Sequence, residues 1–183
     1  MTLEEMLADL PLKCDRSGKM NAKGNLCWWT GYKLHLVADD HGIPLAAITS
    51  SASLHDSQAA IPLAKITAQR VINLYDLMDS AYYAPGIIEH SMAMGHVPII
   101  EKKAKSGEKH EKILEKKAWK TINFKPAEMV RYEARTTVER TFSRLKNEFG
   151  VSFVRVRGGL KVATHLMFCV LSLAADQLMK LVT

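Results

Sequence analysis

A chain of 183 residues, 48% of them hydrophobic, is long enough to bury one substantial core and is expected to form a single domain over residues 1–183. Its formal charge of +6 and sequence pI of about 9.2 suit a polyanionic partner. Three cysteines without a CxxC pair argue against a disulfide framework and a zinc site. The acidic N-terminus lacks the long apolar run of a secretory signal, so a cytoplasmic location is expected.

In chain order, residues 1–10 read as a short helix with Leu3, Met6, Leu7 and Leu10 on one side, stopped by Pro11. Pro11 to Cys14 then lead into Asp15, which is expected at the end of a first strand, and the polar stretch RSGKMNAKGN after it reads as a turn or loop. Leu26 to Ala38 alternates as a strand, Asp39-Asp40-His41-Gly42 has the residues of a hairpin turn, and Pro44 to Ser50 returns. Between Ser51 and Ala68 turn residues give way to a helical pattern, with Ser53, Asp56 or Ser57 available as N-cap.

Arg70 to Met78 is a near-continuous apolar run, the signature of a strand buried on both faces, and it stops at Asp79. A helix from Pro85 to Met94 follows, ended by Gly95, and His96 to Ile100 is an edge strand because Pro98 cannot donate to a ladder. From Glu101 to Lys120, eight lysines against four glutamates predict a mobile, solvated segment. Arg131 to Phe149 is expected to be one helix, Ser152 to Val156 a further strand, and Leu160 to Leu181 a largely apolar helix. The most apolar run, Leu166 to Ala175, is too short to span a bilayer, so no membrane partner is expected.

The chemistry is expected where acids from distant segments meet. At about 100° per residue, Tyr132, Arg135, Glu139 and Lys146 share an arc of about 60° beside an apolar stripe of Val138, Phe142, Leu145 and Phe149. Alone, Arg135 and Glu139 would be an ordinary i,i+4 surface pair. Two aspartates at the ends of neighbouring strands, Asp15 and Asp79, with Glu139 from a helix packed across them, would converge outside the carboxyl ends of the strands. Close, unpaired carboxylates repel, and a divalent cation removes the conflict. Oxygen-only ligands favour Mg²⁺ or Mn²⁺, and a pair of such ions suits phosphoryl transfer on a nucleic acid.

Other polar residues have simpler readings. Asp76, three residues from Asp79, tends toward the opposite side of its strand. Nothing in the sequence completes a metal site with His55-Asp56, and Asp56 reads as a helix cap. Asp39 and Asp40 are turn residues, and His165 on an apolar helix reads as a satisfied core histidine. Trp28 and Trp29 either stack on a displaced base or pack.

The pattern Tyr-x2-Arg-x3-Glu-x6-Lys, Tyr132 through Lys146, resembles the signature around the catalytic glutamate of IS4/IS5-type DDE transposases. Asp79 matches the second catalytic aspartate through Asp-x-Ala-Tyr, and Asp15 matches the first by position, although Arg16-Ser17 departs from the small residues usual there. The resemblance implies an α/β, ribonuclease H-like fold with a mixed five-stranded sheet, the first three strands antiparallel, flanked by helices. It implies metal-dependent cleavage of DNA at transposon ends and strand transfer to a target. Asp15, Asp79 and Glu139 would be both catalytic residues and Mg²⁺ or Mn²⁺ ligands, while Tyr132, Arg135, Arg140 and Lys146 contact DNA. It also implies a homodimer on DNA. An N-terminal DNA-recognition region is expected to be largely absent, which leaves a truncated or decayed copy that binds DNA without cutting as the alternative.

Overall fold

The computed structural model describes residues 1–21, 23–100 and 108–182, and the chain divides into two compact units, Met1–Ile72 with Thr137–Thr183, and Asn73–Thr136.

The first unit is built on a long hairpin. Strand β2 (Leu26–Ala38) pairs antiparallel with β3 (Pro44–Ser51), from Tyr32 opposite Ser51 to Ala38 opposite Pro44. Its turn is the expected one: the Asp39 side chain accepts from the His41 and Ile43 amides at 3.0 and 2.7 Å, and the Gly42 amide donates to the Asp39 carbonyl. Gly42 has φ +78°, a left-handed conformation that glycine adopts without penalty.

Both faces of this hairpin are covered, so its strands are apolar on both sides. On one face Ala46 and Ile48 pack with Ala59 and Leu63, joined by Val37, Leu10 and Ile66. That layer comprises α1 (Leu3–Asp9), a 3-10 turn at Asp56–Ala59 and α2 (Ala60–Ala68). Helix α1 starts on a capping box, Thr2 accepting from the Glu5 amide while Glu5 accepts from that of Thr2. On the other face Leu34, Leu36 and Ala47 meet Leu145, Cys169, Val170 and Leu173 of α6 (Thr136–Asn147) and α7 (Gly159–Val182). Helix α7 has the length and hydropathy of a membrane-crossing helix. Here Val162, Leu166, Cys169, Val170 and Leu173 are buried, the last three of them in this core.

His35 is buried on the α2 face, with its Nε2 2.8 Å from Ser50 Oγ. Burial holds the imidazole below its ordinary value. Asp56 does not cap the turn. His55 occupies that position, and Asp56 receives Lys33 Nζ at 3.0 Å.

Strand β1 differs from expectation. It covers Asp15–Met20, so Asp15 begins the strand rather than ending one, and the stretch read as a loop pairs with the first half of β2 from Asp15 opposite Gly31 to Met20 opposite Leu26. An available partner edge overrides the low β-propensity of these polar residues. The expected strand at Ser152–Val156 is absent. Those residues carry no regular structure, and Phe153 is exposed, because β-propensity without a partner does not make a strand.

The second unit holds β4 (Tyr75–Met78) and β5 (Val97–Ile100), paired parallel and connected through α3 (Pro85–Ala93). Pro85 opens α3 and Gly95, at φ +80°, follows its end. The predicted strand shortens here: Ile72 and Leu74 are exposed, and no β4 residue is fully buried. Helices α4 (Glu108–Thr121) and α5 (Ala127–Glu133) complete the unit. Much of the segment expected to be mobile is therefore helical. The rest of that expectation, residues 101–107, lies outside the described residues.

The single helix expected over Arg131–Phe149 is broken at Ala134–Arg135, between α5 and α6. Thr136 Oγ1 donates to the Glu133 carbonyl at 2.9 Å, a side-chain bond that competes with helix continuation. Tyr132 and Arg135 thus come at or before the break and Glu139 and Lys146 after it, so they are not carried on the one helix expected for them. The fold is thus α/β, with a three-stranded antiparallel sheet in one unit and a two-stranded parallel pair in the other.

Candidate functional site

Glu139 lies in the first turn of α6, where a negative charge complements the helix dipole. The helix is anchored by its opposite side. Leu145 is fully buried and Thr141 nearly so, Phe142 packs on the core, and Glu139 and Arg140 are exposed. The start of α6 rests on the β2–β3 turn, where Thr141 Oγ1 donates to the Thr137 carbonyl at 2.9 Å and lies 3.5 Å from the Gly42 carbonyl. A Cβ at Gly42 would lie 3.1 Å from Thr141 Oγ1, a tight contact added to the left-handed φ that already favours glycine there.

A shallow cleft of about 300 Å³ opens here, bounded by Asp40 and His41 of the turn, Arg140 and Arg144 of α6, and Gln177 and Lys180 of α7. Arg144 braces this wall. It donates to Glu148 Oε2 at 2.8 Å, to Asp176 Oδ2 at 2.6 Å and to Gln177. The hydrogen bonds that Arg144 donates to Glu148 and then to Asp176 raise the guanidinium above its ordinary value, and Arg144 in turn lowers Glu148. Lys180, 2.9 Å from Asp176, lowers that carboxyl first and Arg144 second. The i,i+4 spacings of Arg144/Glu148 and Asp176/Lys180 were the only sequence signal for this network.

Asp15 occupies a different place. Its Oδ1 accepts from the Ser53 amide at 2.9 Å and its Oδ2 from the Ser53 hydroxyl. The Ser53 hydroxyl is the main cause of an acidity stronger than an ordinary carboxyl's. Next to it the Ser51 amide donates to the Pro11 carbonyl and the Lys13 amide to Ser51 Oγ, each at 2.7 Å. Asp15 therefore fastens the start of β1 to the chain leaving β3.

Helix α7 measures how far this corner lies from Glu139. Gly159, at its start, packs against Leu12 so closely that no Cβ fits. Gln177, near its end, donates to the His41 carbonyl beside Thr137 and Thr141. Gly159 to Gln177 spans about 27 Å at about 1.5 Å per residue. Asp15 and Glu139 stand at opposite ends of the hairpin. Ligands of one Mg²⁺ lie about 2.0–2.1 Å from it, and paired ions are roughly 3.5–4 Å apart. The structure therefore does not bring Asp15 beside Glu139, since Asp15 aligns with the first half of β2, opposite Gly31. Among the described residues no three His, Cys, Asp or Glu side chains gather as a metal site.

In the second unit Asp79 follows β4 directly and is exposed. Its Oδ1 caps the turn Ser80–Tyr82, accepting from the Ser80 amide at 2.5 Å and the Ser80 hydroxyl at 3.1 Å. Asp76 is half-buried and engaged by Asn73 at 2.8 Å, Ser91 at 2.5 Å and His96 at 3.0 Å. Such a network ties β4 to α3 and β5, whereas Asp79 sits at the carboxyl end of a parallel strand.

Tyr132 and Arg135 belong to the second unit, with the Arg135 guanidinium 5.4 Å from the Tyr132 ring centroid. Arg140 and Lys146 are exposed on α6 in the first unit. Arg131, not singled out by the sequence, covers the Tyr75 ring at 4.1 Å. His165 is half-buried, with Nε2 3.4 Å from the Gly150 carbonyl.

Residues 11–174 match the model of the family described as transposase DDE domain. Comparison with curated proteins and with solved structures finds no match.

Proposed function

The chain belongs to the transposase DDE domain family, and from that premise we propose that it is an IS4/IS5-type transposase that cleaves DNA at transposon ends and transfers the ends to a target. The family match over residues 11–174 carries this reading. The exposed carboxylates of Asp79, beyond β4, and Glu139, opening α6, support it, and these two are the acids we assign to the reaction. Both offer the hard oxygen donors that Mg²⁺ or Mn²⁺ takes. Such an ion, when bound, supplies activation of a water or hydroxyl and charge neutralisation at the phosphodiester. Tyr132, Arg135, Arg140 and Lys146 contact DNA phosphates. One catalytic domain over residues 1–183, a ribonuclease H-like mixed sheet of five strands, a homodimer on DNA and a cytoplasmic location belong to the same proposal.

Asp15 is assigned a structural role, since Ser53 engages both its oxygens far from Glu139. Asp15→Asn is expected to keep metal-dependent nicking within about tenfold of the parent, a barrier change under about 1.4 kcal/mol. In a plasmid-nicking assay with Mn²⁺, the parent chain should cut, and EDTA should stop it. Absence of nicking in Mn²⁺ on any duplex containing transposon ends would overturn the enzymatic reading.

A second reading, DNA binding without catalysis, draws on the separation of Asp15 from Glu139. It expects steeply salt-dependent DNA binding to which Mn²⁺ adds no cleavage.

A further inference from the structure

Only half of β2 is part of the covered hairpin. β3 pairs with Tyr32–Ala38, while the preceding half pairs with β1 alone. Asp15–Met20 and Leu26–Gly31 thus form a two-stranded ribbon. Its end is closed by Asn21, whose side chain accepts from the Lys23 and Asn25 amides at 2.9 Å.

Cross-strand register places Arg16, Gly18 and Met20 on one face with Leu26, Trp28 and Thr30. This face is organised and open. The Arg16 guanidinium lies 4.6 Å from the Trp28 ring centroid, and Trp28 covers Gly18 so closely that a Cβ there would come within 2.9 Å of the ring. Yet Met20, Leu26 and Trp28 are 63, 52 and 56% exposed. From Arg16 to Thr30 the sequence carries Arg16, Lys19 and Lys23 and no carboxylate.

We propose that the β1–β2 ribbon is a DNA-docking arm that enters the major groove of duplex DNA with its Arg16–Trp28 face, a role that rests on the DNA-processing function proposed above. A two-stranded ribbon has the width this groove admits, about 12 Å. Exclusive positive charge matches the phosphate walls, so Lys19 and Lys23 neutralise phosphates. Arg16, braced on the indole, keeps its N–H fork for a phosphate or a guanine edge, and the apolar side chains beside it suit thymine methyl groups. A protein-docking face of this exposure would not need three cations and no acid.

The test is duplex binding by the full chain as a function of salt. The triple variant Arg16→Gln, Lys19→Gln, Lys23→Gln should weaken binding and flatten the log K against log salt slope by about 2–3, at about 0.9 for each phosphate no longer neutralised. Trp28→Ala should weaken binding with little change of slope, because it frees Arg16 without removing charge. All four positions are exposed, so folding should persist, checked by circular dichroism. If the parent binds and nicks DNA while the triple variant keeps the parent's affinity and slope, the ribbon does not dock DNA and the proposed function stands. A parent with no salt-sensitive DNA binding overturns both.

Discussion

Replacing Glu139 with glutamine should lower Mn²⁺-dependent nicking by at least about 100-fold, on the order of 2.7 kcal/mol of transition-state stabilisation, while duplex binding is largely unchanged. Glutamine has the same shape but removes the unit charge that makes a carboxylate a good ligand for a hard cation. The fold should tolerate the change. Glu139 is exposed, and α6 is held by Thr141, Leu145 and Phe142 on its other side. Losing the favourable interaction with the helix dipole costs about 0.3–1 kcal/mol of stability, too little to account for lost activity. Single-turnover nicking and filter binding on the same preparation separate the two effects.

Leu145→Ala should destabilise the protein by about 2–5 kcal/mol, the range for truncating a buried leucine where the surroundings cannot collapse into the gap. Leu145 is fully buried among Cys169, Val170 and Leu173, with Leu34 and Leu36 of the hairpin packed on the same cluster. At roughly 2–4 °C per kcal/mol for a chain of this size, thermal denaturation should shift by many degrees. Phe168→Ala, on the same α7 but 65% exposed, should change stability by less than about 0.5 kcal/mol. Equal effects of the two would mean that α6 and α7 do not pack on the hairpin as described.

Much of this architecture was legible because local chemistry and tertiary demand agree. The Asp39–Gly42 turn fixes the β2–β3 hairpin, Pro85 and Gly95 bracket α3, and the apolar periodicity of α7 matches its buried face. Strand β1 was hidden because its residues are polar and only the spare half of β2 makes them a strand. The break before α6 was hidden because a hydroxyl, Thr136 on the Glu133 carbonyl, decides it rather than periodicity. The candidate acids were found by residue type and spacing, but spacing does not say with which half of β2 an aspartate aligns. That alignment separates Asp15 from Glu139. Ser53, the partner that engages Asp15, stands 38 residues away and gave no signal. The Arg16–Trp28 face was equally silent, because it depends on strand register.

The most direct test compares Mn²⁺-dependent nicking by the parent, Asp15→Asn and Glu139→Gln on the same transposon-end duplex. Cutting by the parent and by Asp15→Asn, with none by Glu139→Gln, is the expected pattern. Full activity of Glu139→Gln, or loss in Asp15→Asn as complete as in Glu139→Gln, would contradict the assignment of the reaction to Glu139 and of a structural role to Asp15.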